Sequence, residues 1–289
     1  MYICAIEKSQ VMMKMKKWVA CAVVLALFLL PVAAFSQSKP QGRKARERQH
    51  EFYFSWGYNT EWYTRSDIHV LQPSLGNDYT FRKISGHDHR GWDEGIFKLG
   101  LSIPQYNYRL GYIFNKKKEL GFEVNFDHTK FIFADQNARI TGVLNNRQVD
   151  TSVAFNKSNG FYYYLNNGAN FLLFNLVKRW HLYRAKNDNL KLDFLGKAGV
   201  GPVIPHTENS LFGQANDKGF QFGGWNIGVE GALRMTFFKY AFLEYTNKLD
   251  YARYHGLNVY QGKARQAFGT YEMILNLGVT FPVGKPVRN

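Results

Sequence analysis

Cysteine is almost missing from this chain, and so are long apolar runs. Only Cys4 and Cys21 occur in 289 residues, which excludes a C-x-x-C redox or zinc pair and a disulfide framework. Mean hydropathy is -0.35, too polar for a bundle of membrane helices. Phosphate-binding glycine loops and a G-x-S-x-G elbow are absent as well, so nucleotide hydrolysis and α/β-hydrolase chemistry have no motif to rest on. The glycines of "GKAGVGP" lie in an alternating segment without the helix a phosphate loop requires, and read as permitting close packing or bending of a strand.

The single long apolar run, "WVACAVVLALFLLPVAAF", follows Lys14, Lys16 and Lys17 and leads into Ala33, Ala34, Phe35 and Ser36. Basic, then apolar, then small residues is the order of a secretory signal peptide, here residues 1–36, with an uncleaved membrane anchor as the competing reading. Met12, Met13 and Met15 offer starts that would shorten an over-long leader. Both cysteines fall in the leader, and Cys21 precedes most of the apolar run, so it is not placed for lipid attachment. Removing four basic residues and one acid from 37 and 22 leaves 33 and 21, a formal charge of about +12 on the exported chain. Residues 37–51 have no apolar periodicity and read as a basic, disordered arm. An exported chain is not expected to meet nucleic acid. Lipid head groups and lipopolysaccharide phosphates suit its charge better.

What the sequence has in quantity is aromatic residues, 17%, and 26 glycines, a balance that favours strands. In "FYFSWGYNTEWY" Phe52, Phe54, Trp56, Tyr58 and Trp62 alternate with Ser55, Gly57, Asn59 and Glu61. The same period of two recurs in "YNYRLGYIF", "LGFEVNFD", "NFLLFNLVKRWHLY", "LKLDFLGKAGV", "WNIGVEGALRMTF", "AFLEYTNKLDY" and "TYEMILNLGVTFPV". Short links at 115–118, 184–189 and 239–240 alternate with longer ones near 65–103, 134–168, 206–220 and 255–266. This pattern predicts an all-β fold, an antiparallel up-and-down transmembrane β-barrel over residues 52–283. Eight strands is the expected count and ten the alternative; residues 284–289 form a periplasmic tail. Aromatic residues then face lipid and polar ones the lumen, the reverse of a soluble sandwich or lipocalin-like barrel, which are the competing readings. The lumen set is Glu61, Glu123, Asp127, Asp193, Glu230, Glu244, Asp250 and Glu272 against Arg109, Arg179, Lys191, Lys197, Arg234, Lys248 and His181. So balanced a set predicts a paired plug rather than a pore.

On these strands, and on Phe281 near the C-terminus, the chain resembles the small eight-stranded bacterial outer-membrane barrels of the OmpA/OmpX and lipid A palmitoyltransferase type. The aromatic- and Asn-rich style is similar to Bacteroidetes-type outer-membrane proteins. The resemblance implies an outer-membrane location and recognition of Phe281 by the barrel assembly machinery, although "PVGKPVRN" places that aromatic short of the terminus. It also implies a role in envelope structure or in binding an unidentified extracellular ligand. The alternative is an outer-leaflet enzyme modifying the acyl chains of lipid A or phospholipid.

Chemistry, if any, belongs to the long loops. Ser66, Asp67 and His69 supply a nucleophile, an orienter and a base for acyl transfer. In an extended strand, however, Ser66 points away from Asp67 and His69. His87, His89 and Asp93 are ordinary metal ligands, with a solvated polar loop as the plain reading. No cofactor is expected, and the balance of these readings is non-enzymatic.

Overall fold

A computed structural model describes residues 48–89, 105–165 and 168–286, all within the unit Lys44–Asn289. The leader, most of the arm, Asp93 and residues 287–289 lie outside the described residues.

Eight of the strands are β1 (Arg48–Tyr63), β2 (Tyr106–Asn115), β3 (Leu120–Asp127), β4 (Phe171–Arg184), β5 (Leu190–Pro202), β6 (Gly224–Phe237), β7 (Ala241–Val259) and β8 (Gly262–Pro286). Each pairs antiparallel with the next, and β8 returns to pair with β1, so they close a ring. These are the eight alternating segments of the sequence, lengthened at several ends. β1 starts at Arg48, so residues 48–51 of the expected arm are paired in the wall, and Arg48 lies opposite Pro286 of the expected tail.

Alternation sends apolar side chains outward and polar ones inward. Leu176 is 68% exposed and Leu277 66%, while Glu123, Asp127 and Lys248 are at 0%. A water-soluble fold would invert every one of these. Along β8 the outward residues Tyr271, Met273, Leu275, Leu277, Val279 and Phe281 are all apolar except for the tyrosine hydroxyl. Ten steps at ~3.4 Å and a ~40° tilt give about 26 Å of apolar height, close to the belt of a membrane barrel.

At the end carrying the short turns, Tyr53, Ile113, Val177, Leu195, Ala232 and Phe242 form a buried apolar cluster inside the barrel. Gly111 makes room for it: a Cβ there would stand 1.9 Å from the Tyr53 ring.

At the opposite end the described parts of the connections hold strands of their own. Strands at Ser66–Gln72, Asn77–Ile84, Gln136–Leu144 and Arg147–Phe155 extend the wall from the upper part of β8, in that order. A second sheet of short strands, among them Phe131–Phe133, Tyr162–Leu165 and His206–Leu211, packs beside it. Between them lies a core that includes Ile68, Val70, Tyr79, Phe81, Ile140 and Phe155.

β7 and β8 run through both regions, and each changes its apolar side on the way. Below Tyr251, β7 buries Glu244, Lys248 and Asp250 and shows Leu243, Leu249 and Tyr251 outward. Above it, Ala252, Tyr254 and Leu257 are buried, while Arg253 and His255 face out. β7 keeps its register with β8 from Ala241 to Tyr254, across this switch, and shifts it only between Tyr254 and Leu257, so the change at Tyr251 marks where lipid gives way to water.

Candidate functional site

The lumen is packed with ion pairs. Lys197 Nζ lies 2.9 Å from Glu123, 2.9 Å from Glu244 and 3.7 Å from Glu230. Arg234 meets Glu244 at 2.6 Å while its guanidinium is held between the rings of Tyr53 and Phe242, 4.1 Å from each. Higher up, Asp127 receives Arg109 at 2.5 Å and Lys248 at 2.6 Å, and Lys248 also reaches Glu272 at 2.9 Å. Glu61 accepts from Tyr63 and Gln105 at 2.7 and 2.5 Å, and from Asn59. Charges so thoroughly desolvated are tolerable only when partnered, and nearly all of these are.

The lumen assignments of the sequence hold for the acids, all buried, and for Arg109, Arg179, Lys197, Arg234 and Lys248. Lys191 and His181 sit at the rim instead, lining an open pocket at the turn end, and the His181 side chain is 53% exposed. His181 bridges Asp193 at 2.6 Å and Glu119 at 3.0 Å. Two carboxylates missed from the sequence complete that end: Arg179 is held by Glu51 at 2.7 Å and Glu119 at 2.6 Å. Glu51 reads as part of the arm and Glu119 falls in a turn, so neither shares the alternation of a strand segment.

The structure does not bring Ser66, Asp67 and His69 together. Ser66 is buried and its hydroxyl accepts from the Gln266 amide at 2.9 Å. Asp67 faces out, bound by Arg82 at 2.9 Å and by the Lys83 amide at 2.8 Å. Burial pushes the Asp67 carboxyl upward, but those two donors outweigh it and hold the pKa below the usual aspartate value. His69 pairs with Asp78 at 2.7 Å. Strand geometry is the reason: neighbours in sequence face opposite sides, and each found a partner across the sheet.

His87 is paired in a two-residue strand with Ile132, and the His89 amide donates to Gln105 at 3.0 Å. No cluster of three or more metal-ligating side chains occurs among the described residues, and Asp93 lies outside them.

A different constellation emerges on the outer face of the extended sheet. An open groove of about 1020 Å³ is lined by Arg65, Arg82, Lys83 and Arg139 together with Asp67 and Asp135. Arg82 is occupied by Asp67, and Arg139 by Asp150 at 2.7 Å. Arg82, Lys83 and Arg139 stand on strands within segments that read from sequence as long connections, and Arg65 immediately precedes the first of those strands. One signal for them was present. Asn145 and Asn146, with φ of 51° and 61°, form the tight turn between Gln136–Leu144 and Arg147–Phe155, and paired left-handed residues of this kind are a hairpin signature.

No known protein family matches the chain, and no curated protein does. Among solved structures it is similar to outer-membrane proteins. Ail of Yersinia pestis, in complex with the heparin analogue sucrose octasulfate, is 14% identical, with 81% of this chain and 99% of that one covered at a TM-score of 0.29. OprG of Pseudomonas aeruginosa is 10% identical, covering 83% and 99% at 0.34. The protease OmpT of Escherichia coli is 9% identical, covering 84% and 99% at 0.36. Scores this low carry no weight for function; the barrel rests on its closed ring and outward apolar belt.

Proposed function

We propose that this protein is a bacterial outer-membrane barrel closed to diffusion by its ion-paired lumen, whose extended sheets form a binding platform outside the cell. The observation that carries the reading is the folded state of the described parts of the connections. They form two sheets around an apolar core of their own and present an open, cation-lined groove. Connections that merely cap a barrel have no need of a core. The groove chemistry favours an anionic partner, and the strand order places it at the end opposite the short turns, which in such barrels is the extracellular side.

A cysteine-free exported chain makes the test direct. Asn137→Cys, exposed at the groove, should react with a membrane-impermeant maleimide on intact cells. Labelling only after permeabilisation would overturn the orientation. The purified barrel in planar bilayers should show no steady conductance, and porin-like currents would refute the closed lumen.

A further inference from the structure

At the height where β7 changes its apolar side, the lipid-facing wall carries an open groove of about 530 Å³, nearly all apolar. Trp62, Tyr251 and Tyr271 stand around it, with Leu249 lower down. Its depth comes from missing side chains. Above Tyr271 the next outward positions of β8 are Gly269 and Ala267, and Thr64 packs over the glycine, 3.3 Å from where a Cβ would be.

Three arginines border this depression, Arg65 beside it at the level of Gly269 and Arg253 and Arg265 above it. Arg253 follows Tyr251 on the same face of β7 and lies opposite Ala267. Arg265 is two residues farther along β8, the diagonal neighbour of Arg253, ~7–8 Å away in a sheet. Arg65 succeeds Thr64, whose amide bonds Gly269 at 2.9 Å. All three are exposed, and none has an ion pair with a carboxylate among the described residues. The acid on the neighbouring strand, Asp67, is held by Arg82. His69, opposite Arg265, is held by Asp78.

The geometry points to a lipid site: the phosphate of an anionic lipid bound by Arg65, Arg253 and Arg265, with one acyl chain laid in the groove below. An apolar slot at membrane depth ending in exposed guanidinium groups matches the two halves of such a molecule. Arginine suits the headgroup because its planar fork donates two parallel hydrogen bonds to phosphate oxygens. Apolar side walls at the membrane boundary hold the chain. The inference rests on the membrane-barrel reading above.

The test uses the full exported chain in detergent, first checked for the heat-modifiable band of a folded barrel. Absence of that band would count against the barrel itself, independently of the lipid. Native mass spectrometry with dioleoyl phosphatidylglycerol and dioleoyl phosphatidylcholine at equal concentration should show a several-fold preference for the anionic lipid. Replacing the three arginines together, Arg65→Gln, Arg253→Gln and Arg265→Gln, should abolish it. Arg147→Gln, at a distant hairpin tip, should leave it unchanged. Gly269→Leu, which fills the groove, should reduce retention of both lipids, and soluble glycerophosphoglycerol should fail to displace them. Equal retention of the two lipids, a triple variant that keeps its preference, an equal loss with Arg147→Gln, or displacement by the soluble headgroup would each overturn the proposal.

Discussion

Replacing Lys197 with methionine removes the cation at the centre of the lumen while nearly preserving its volume. Its ammonium serves three carboxylates, Glu123 and Glu244 at 2.9 Å and Glu230 at 3.7 Å. Glu123 would keep the Tyr53 hydroxyl at 2.7 Å, and Glu244 would keep Arg234 at 2.6 Å. Glu230 would keep only amide donors, including Asn175 at 3.1 Å. Breaking a buried pair from one side costs about 3–5 kcal/mol. Because two of the three acids retain a strong partner, the low end applies, about 3 kcal/mol or roughly a hundredfold in the folding equilibrium. Urea unfolding in lipid vesicles, followed by tryptophan fluorescence and by the heat-modifiable band, measures this directly. Adding Glu230→Gln to Lys197→Met should recover part of the loss, since it removes the acid left without a cation. A loss below about 1 kcal/mol, typical of exposed pairs, would mean water reaches these groups and would refute the filled lumen.

Three further outcomes are expected. Phe81→Ala empties a position packed against Tyr79 and Phe155, with ring centroids at 5.4 and 5.3 Å. It should cost about 3–5 kcal/mol in the external sheets, seen as protease cleavage there while the barrel band persists. Burial lowers His128 from 6.5 to about 4 despite its bond to Asn170. The folded state therefore resists a proton that the unfolded chain accepts, so stability should fall as pH drops from 6.5 toward 4, and His128→Gln should flatten that fall in acid-unfolding curves. With Ser66, Asp67 and His69 each engaged elsewhere, lipid A mass spectra should be the same with the native protein as with Ser66→Ala or His69→Ala; an acyl mass difference lost in either variant would restore the enzymatic reading.

The wall was legible because a barrel strand must satisfy two media at once, which leaves a period of two that survives any register. Each of the eight segments from Phe52 to Val283 became a ring strand for that reason. The external sheets were harder to see. Ser66–Gln72 alternates Ile68 and Val70 with polar residues as a soluble strand does, but over only 7 residues. Its apolar face also turns inward, opposite to the wall. β7 was cut short at Tyr251 for the same cause: Arg253 and His255 break the outward apolar series although the strand continues to Val259. The candidate triad came from adjacency in sequence, whereas pairing is settled by what lies across the sheet. Cross-strand partners such as Arg82 and Gln266, 15 and 200 residues away from Asp67 and Ser66, have no local signature.

The reversal of sides on β7 and β8 acts as a waterline painted on the molecule. Sinking the barrel by two residues would press Arg253 down to the height of the tyrosine girdle and Arg265 to the level Arg253 now holds; raising it by two would lift Tyr251 clear of its girdle and expose apolar wall at the rim. Both displacements are penalised, so the barrel cannot slide to suit its surroundings. In a bilayer thicker or thinner than its belt it is the lipid that has to deform, and neighbouring lipids will be drawn to a fixed height around this protein wherever it is placed.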